Sequence, residues 1–116
     1  MKTFPSIESL FMREDDKRNN EAFQTLLYCW LYDKSDLSPL IPGLYDIKGM
    51  NERNFSPNFK MAQKELLDFN EVKNEFEIQL KKLIEEIYDP NLAFTQTQNH
   101  KICENCDFIN ICKRDA

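Results

Sequence analysis

A chain of 116 residues is one small domain at most. It is 41% hydrophobic, with nine Phe, four Tyr and one Trp, so it carries core material and does not read as disordered. Charged side chains make 30%, and 20 acidic against 15 basic gives −5, which argues against a binder working through a net basic surface; no apolar run approaches the ~18 residues of a membrane span.

The first residues, Met1-Lys2-Thr3-Phe4-Pro5, show no apolar signal-peptide region, so a cytoplasmic protein is expected. Four cysteines in that setting read as reduced thiols or metal ligands rather than disulfides. Pro5 and Ser6 before Ile7 and Leu10-Phe11-Met12 suggest a short helical turn. The mixed-sign run Arg13 to Arg18 reads as a solvated connection. Asn19 or Asn20 can cap the helix that follows, expected from Asn20 to about Asp33. Its Phe23, Leu26, Leu27, Trp30 and Leu31 cover more than one stripe, so it is expected to be the central helix, packed on most sides. Asp33 to Pro39 ends it.

Leu44 to Lys48 reads as a short strand after the Pro42-Gly43 turn. Asn51 to Lys60 reads as a loop, with an edge strand near Phe59 to Met61. A second long helix is expected from Asp68 to about Tyr88. Asp68 is its N-cap, Glu71 the capping-box partner, and Leu67 with Val72 the hydrophobic staple. Phe69, Val72, Phe76, Leu80, Leu83, Ile84 and Ile87 recur at three and four, opposite Lys73, Glu77, Lys81 and Glu85. Asp89-Pro90-Asn91 stops it, and the alternation of Ala93 to Thr97 suggests another edge strand. The class is helix-rich α+β in one domain, with a core over 20–98 and a cysteine-bearing tail over 99–116.

Cys103-x2-Cys106-x5-Cys112 is the strongest local pattern. Two thiolates three residues apart on a turn can bind one metal, and a third one or two helical turns on can close over it. Three ligands are one short of a tetrahedral zinc site or a 4Fe-4S cluster. The fourth is Cys29, His100 or a group outside the chain; Cys29 alone reads as core filler, and His100 alone as an exposed histidine. Gln24 and Tyr28, four apart on the first helix, share a face, and a glutamine there must be hydrogen-bonded or line a cleft. The tripeptides at Asp15-Lys17, Asp46-Lys48 and Glu71-Lys73 have the form of a nuclease (Asp/Glu)-x-Lys motif, but chance supplies as many in so charged a chain.

Together these pieces resemble the C-terminal part of a RecB-like PD-(D/E)XK nuclease domain. Gln24 to Tyr28 resembles that family's Q-x-x-x-Y motif, Pro42 to Lys48 the strand after it, and Phe94 to Cys112 the AddB-type cysteine ending. The resemblance implies a Mg-dependent DNA exonuclease of repair and recombination, with Gln24 and Tyr28 lining the active site. It implies Cys103, Cys106 and Cys112 as ligands of a 4Fe-4S cluster. It assigns no residue here to the catalytic acids and lysine, so the chain is expected to be inactive alone and to self-associate through the Phe23–Leu31 helix or the Leu44–Lys48 edge. The competing reading is a small zinc- or iron–sulfur-binding interaction module.

Overall fold

The structure, a computed structural model, describes residues 2–32 and 38–114. The order is strand β1 (Lys2–Phe4), a 3-10 turn (Glu8–Phe11), helix α1 (Asn20–Tyr32), strands β2 (Phe59–Met61) and β3 (Lys64–Glu65), a 3-10 turn (Phe69–Glu71), helix α2 (Lys73–Tyr88) and a 3-10 turn (His100–Cys103). Helix outweighs strand, as the α+β expectation requires. Part of the expected break after α1, residues 33–37, lies outside the described residues.

Helix α1 starts where a cap is available. The Asn19 side chain accepts from the Ala22 N–H at 2.9 Å, and its amide donates to the Thr3 carbonyl at 3.0 Å. One residue therefore satisfies a free helix-end donor and ties α1 to β1. Only one stripe of α1 is buried, Ala22, Leu26 and Cys29, with Phe23, Leu27 and Trp30 half-buried. The expectation of a helix packed on most sides is thus corrected. Among the described elements α2 and the Glu8–Phe11 turn pack on it most closely, and Leu31 is 66% exposed.

The sheet has the order β1-β2-β3. β1 runs parallel to β2, Lys2 opposite Phe59 and Phe4 opposite Met61, and β3 returns antiparallel. Ala62 makes the tight return at φ 55°, a left-handed conformation that an L-residue adopts at some cost. The core lies between sheet and helices. Phe4 meets Phe59 edge-on at 6.3 Å, and Phe76 lies within 5.5 to 6.3 Å of the rings of Phe11, Phe23 and Phe69.

Helix α2 begins later than expected. Asp68 does cap, but it caps the 3-10 turn, accepting from the Asn70 N–H at 3.1 Å. Val72, at φ −120°, interrupts the backbone before α2 proper, whose first bond runs from the Phe76 N–H to the Val72 carbonyl at 2.9 Å. Glu71 does not close a capping box; it pairs with Lys64 at 2.7 Å across the sheet edge. Leu67 is half exposed while Val72 is buried.

Two expected strands do not form. From Leu44 to Lys48 the contact with the rest of the sheet is a Gly43–Asn58 bridge and a Leu44 N–H to Pro57 carbonyl bond of 2.7 Å. Asp46 then turns the chain: its carboxylate accepts from the Lys48 N–H at 3.1 Å and its carbonyl from the Gly49 and Met50 N–H groups. Local bonds to an Asp compete with a strand ladder and win here. Ala93 to Thr97 alternates as a strand would, but no described strand lies beside it, and Phe94 is 86% exposed.

Candidate active-site face and cysteine tail

Gln24 and Tyr28 lie one turn apart on the outer side of α1, and the Gln24 Nε2 donates to the Tyr28 Oη at 2.8 Å. Both side chains are exposed, not part of the core. The same helix face carries Glu21, whose carboxylate meets the Lys2 ammonium at 3.5 Å. Lys2 stands at the start of β1, held in register against Phe59. An exposed ion pair of this kind adds little stability. Its value is positional, because it brings an ammonium to the face that carries Gln24 and Tyr28.

Lys2 also lines an open cleft of about 250 Å³ with Asp46, Lys48, Glu52, Asn54 and Ser56. The turns from Asp46 to Phe55 build its far wall. Neither Lys2 nor Glu21 was singled out from the sequence. A two-to-three-residue strand of ordinary composition leaves no periodic signal, so nothing announced that Lys2 would be fixed in space.

The charged run 13–18 is not merely solvated; it holds the tail. Arg13 pairs with Glu86 of α2. The Glu14 carboxylate accepts from the Thr97 hydroxyl and from the N–H groups of Gln98 and Asn99, the last two at 3.0 Å. The Asn99 amide donates to the Glu14 carbonyl at 2.7 Å and to Asp16 at 3.1 Å. The Thr97 hydroxyl, with the Asn99 and Gln98 N–H groups after it, holds the Glu14 carboxyl below the usual carboxylate range. The Asn99 amide does the same for Asp16.

The other end of the tail is closed by Gln96, which donates to the Cys112 carbonyl at 3.1 Å and accepts from Arg114 at 2.9 Å. Lys113, at φ 57°, and the bonds Lys113 N–H to Asn110 and Arg114 N–H to Ile109 form a Schellman stop, with Cys112 as the C-cap. Within that loop Cys103 and Cys106 bracket one turn, the Cys106 N–H donating to the Cys103 carbonyl at 3.1 Å. Cys103 is half-buried; Cys106 and Cys112 are exposed, free thiols. Cys29 sits in the core against the residues around Leu26.

His100 is engaged as well. Arg114 Nη1 lies 2.7 Å from its Nε2, and since a guanidinium can only donate, that nitrogen accepts. The lone pair that would bind zinc at Nε2 is thus occupied. Among the described residues no three of His, Cys, Asp and Glu come together in an arrangement that holds a metal ion. Cys103, Cys106 and Cys112 have the donor chemistry of a cluster or zinc site, but they do not converge on one point among the described residues.

An α+β unit thus presents a Gln–Tyr pair on the α1 face whose Glu21 meets a strand-borne lysine, with a cysteine tail closed at its base. The family model of the PD-(D/E)XK nuclease superfamily matches residues 9–113, and the chain belongs to that superfamily. No curated protein and no solved structure matches it. Within the described residues no helix is long and apolar enough to cross a membrane. Membership supports a nuclease-type function with DNA as the substrate.

Proposed function

We propose that this chain is the C-terminal portion of a RecB/AddB-like DNA exonuclease of repair and recombination, and that Gln24 and Tyr28 line its active site. The observation that carries this reading is the exposed Gln24–Tyr28 hydrogen bond on the face that Glu21 shares with Lys2. A buried pair would have served packing; an exposed pair, on a helix face whose Glu21 holds the Lys2 ammonium, offers donors to a phosphate and its attacking water. In such an enzyme the metal activates water and offsets charge on the phosphate. Among the described residues no set of carboxylates converges on a metal, so the chain alone binds DNA without cutting it.

The reading extends to the tail. Cys103, Cys106 and Cys112 are ligands of a 4Fe-4S cluster whose fourth ligand lies outside the chain, and the cluster fastens the tail of a cytoplasmic enzyme. The pattern and the exposure of Cys106 and Cys112 support it. A second copy pairs with α1 around the exposed Leu31, which shares the helix face of Gln24 and Tyr28, so that pairing competes with DNA there; the expected alternative, a Leu44–Lys48 strand edge, is not formed.

Linear duplex DNA with Mg or Mn tests the core of this reading: the expected result is binding without cleavage. Turnover that disappears in Asp46→Ala would overturn the reading that the chain alone does not cut. Iron and sulfide analysis after anaerobic reconstitution, with Cys106→Ser as control, tests the cluster. Sedimentation across a concentration series, with Leu31→Glu, tests the pairing.

A further inference from the structure

Outside the Gln24–Tyr28 face, one region departs from the acidic character of the chain. Between residues 41 and 64 the charges are Lys48, Arg53, Lys60 and Lys64 against Asp46 and Glu52, in a chain of −5 overall. Lys64 is engaged by Glu71, while Lys48 is exposed at the rim of the cleft that Lys2 also lines. The carboxylate of Asp46 is turned into its own loop, where it accepts from the Lys48 N–H. Asp46 and Glu52 keep their charge in the cleft wall and Lys2 is paired with Glu21, so the ammonium most open to a phosphate is that of Lys48, exposed at the rim.

The same loop exposes aromatic and apolar surface. The Tyr45 ring is 71% exposed yet backed by Phe55, with ring centroids 6.2 Å apart and a 41° tilt. Phe55 reaches into the cleft wall, so platform and cleft are continuous. Ile47, 84% exposed, extends the apolar surface. A largely exposed ring held by a tilted contact to Phe55, near the Lys48 ammonium and the side chains of Asn54 and Ser56, matches what a single-stranded polynucleotide requires. One base stacks on the open ring, and the adjoining phosphates meet the lysines.

We infer that the 44–56 loop, with Tyr45 as a stacking platform and Lys48 and Lys2 as phosphate contacts, is a grip for single-stranded DNA. This rests on the nucleic-acid reading above and specifies where and in what form the strand is held. A duplex does not suit the loop, because its bases are already stacked and offer no open face to Tyr45.

Fluorescence anisotropy with labelled oligo(dT) and with a duplex of equal length tests the grip on the whole chain. Single strand should bind more tightly than duplex. Tyr45→Ala should weaken it about tenfold and Tyr45→Phe should preserve it, as stacking on a ring demands. Lys48→Ala should lower the slope of log affinity against log salt by about 0.7. Both side chains are exposed, so the variants keep the wild-type circular dichroism. If oligo(dT) binds equally well to wild type, Tyr45→Ala and Lys48→Ala, or if duplex binds better, the grip is wrong and the DNA reading stands. If neither DNA binds, both fall together.

Discussion

The two halves of α2 belong to two differently built regions. Up to Leu80 the chain is held by buried hydrocarbon: Phe4, Phe59, Phe69, Phe76, Leu10 and Leu26 are all sealed from water. Beyond it no described side chain is buried, and the segment to Arg114 is held by hydrogen bonds to Glu14, Asp16 and Gln96. The radius of gyration, 16.7 Å, exceeds the ~13 Å of a compact chain this long, as expected when one region stands off the core. Apolar burial is non-directional and tolerates small shifts; a carboxylate accepting three bonds is directional and depends on its charge. The two regions should therefore fail for different reasons.

The largest effect is expected in the core. Phe76 is fully buried and touches rings from three other segments. Phe76→Ala removes about 3–5 kcal/mol, a large part of the ~5–15 kcal/mol that a domain commands. Urea denaturation should show a chain partly unfolded in buffer. A loss below about 1 kcal/mol would mean that the aromatic cluster collapses around the gap.

Glu14→Ala should leave that core intact and release the tail. The N–H groups of Gln98 and Asn99 lose their acceptor, and the amides around Cys103 to Cys112 lose the anchor of their loop. Hydrogen exchange should quicken over 97–112 while α1 and the first half of α2 stay protected. Equal loss in both regions would show that they form one cooperative unit. Acid should imitate the substitution. Because the folded Glu14 and Asp16 carboxyls lie below their ordinary values, their contribution is complete above the ordinary carboxylate range, about pH 4, and fades as pH falls through the depressed folded values. Tail exchange, corrected for its intrinsic pH dependence, should rise in that acid window, rise less in Glu14→Ala, where Asp16 alone still titrates, and be flat when Asp16→Asn is added.

This division also explains what could be read from the sequence. Both helices announced themselves because hydrophobic recurrence at three and four is long-range information; so did a cap at Asn19 or Asn20, of which Asn19 is the one used. β1 and β3 did not, being three and two residues long and specified by pairing rather than by alternation. Leu44 to Lys48 and Ala93 to Thr97 alternate as strands do, but alternation says nothing about whether a neighbour with free N–H and C=O groups exists. The Q-x-x-x-Y pair was legible as a pattern, whereas its exposure and its link through Glu21 to Lys2 were not. The cysteine spacing was legible too. The role of Glu14 was hidden, because its partners lie more than eighty residues away.

The smallest effect on the fold, and the sharpest test of the face, is expected from Tyr28→Phe. The substitution removes one oxygen from an exposed ring and leaves the Gln24 amide free to bond with water, so the unfolding free energy from urea denaturation should change by less than about 0.5 kcal/mol. The hydroxyl cannot be there for stability. If it orients Gln24 toward a phosphate, a chain completed with its metal-binding carboxylates should lose DNA cleavage by about tenfold or more while keeping its affinity for DNA, because a positioned donor acts mainly in the transition state. Gln24→Ala should lose a similar factor, and the double variant little more, since the two act as one unit. Full activity in Tyr28→Phe would detach the pair from the chemistry and leave it a surface hydrogen bond on α1.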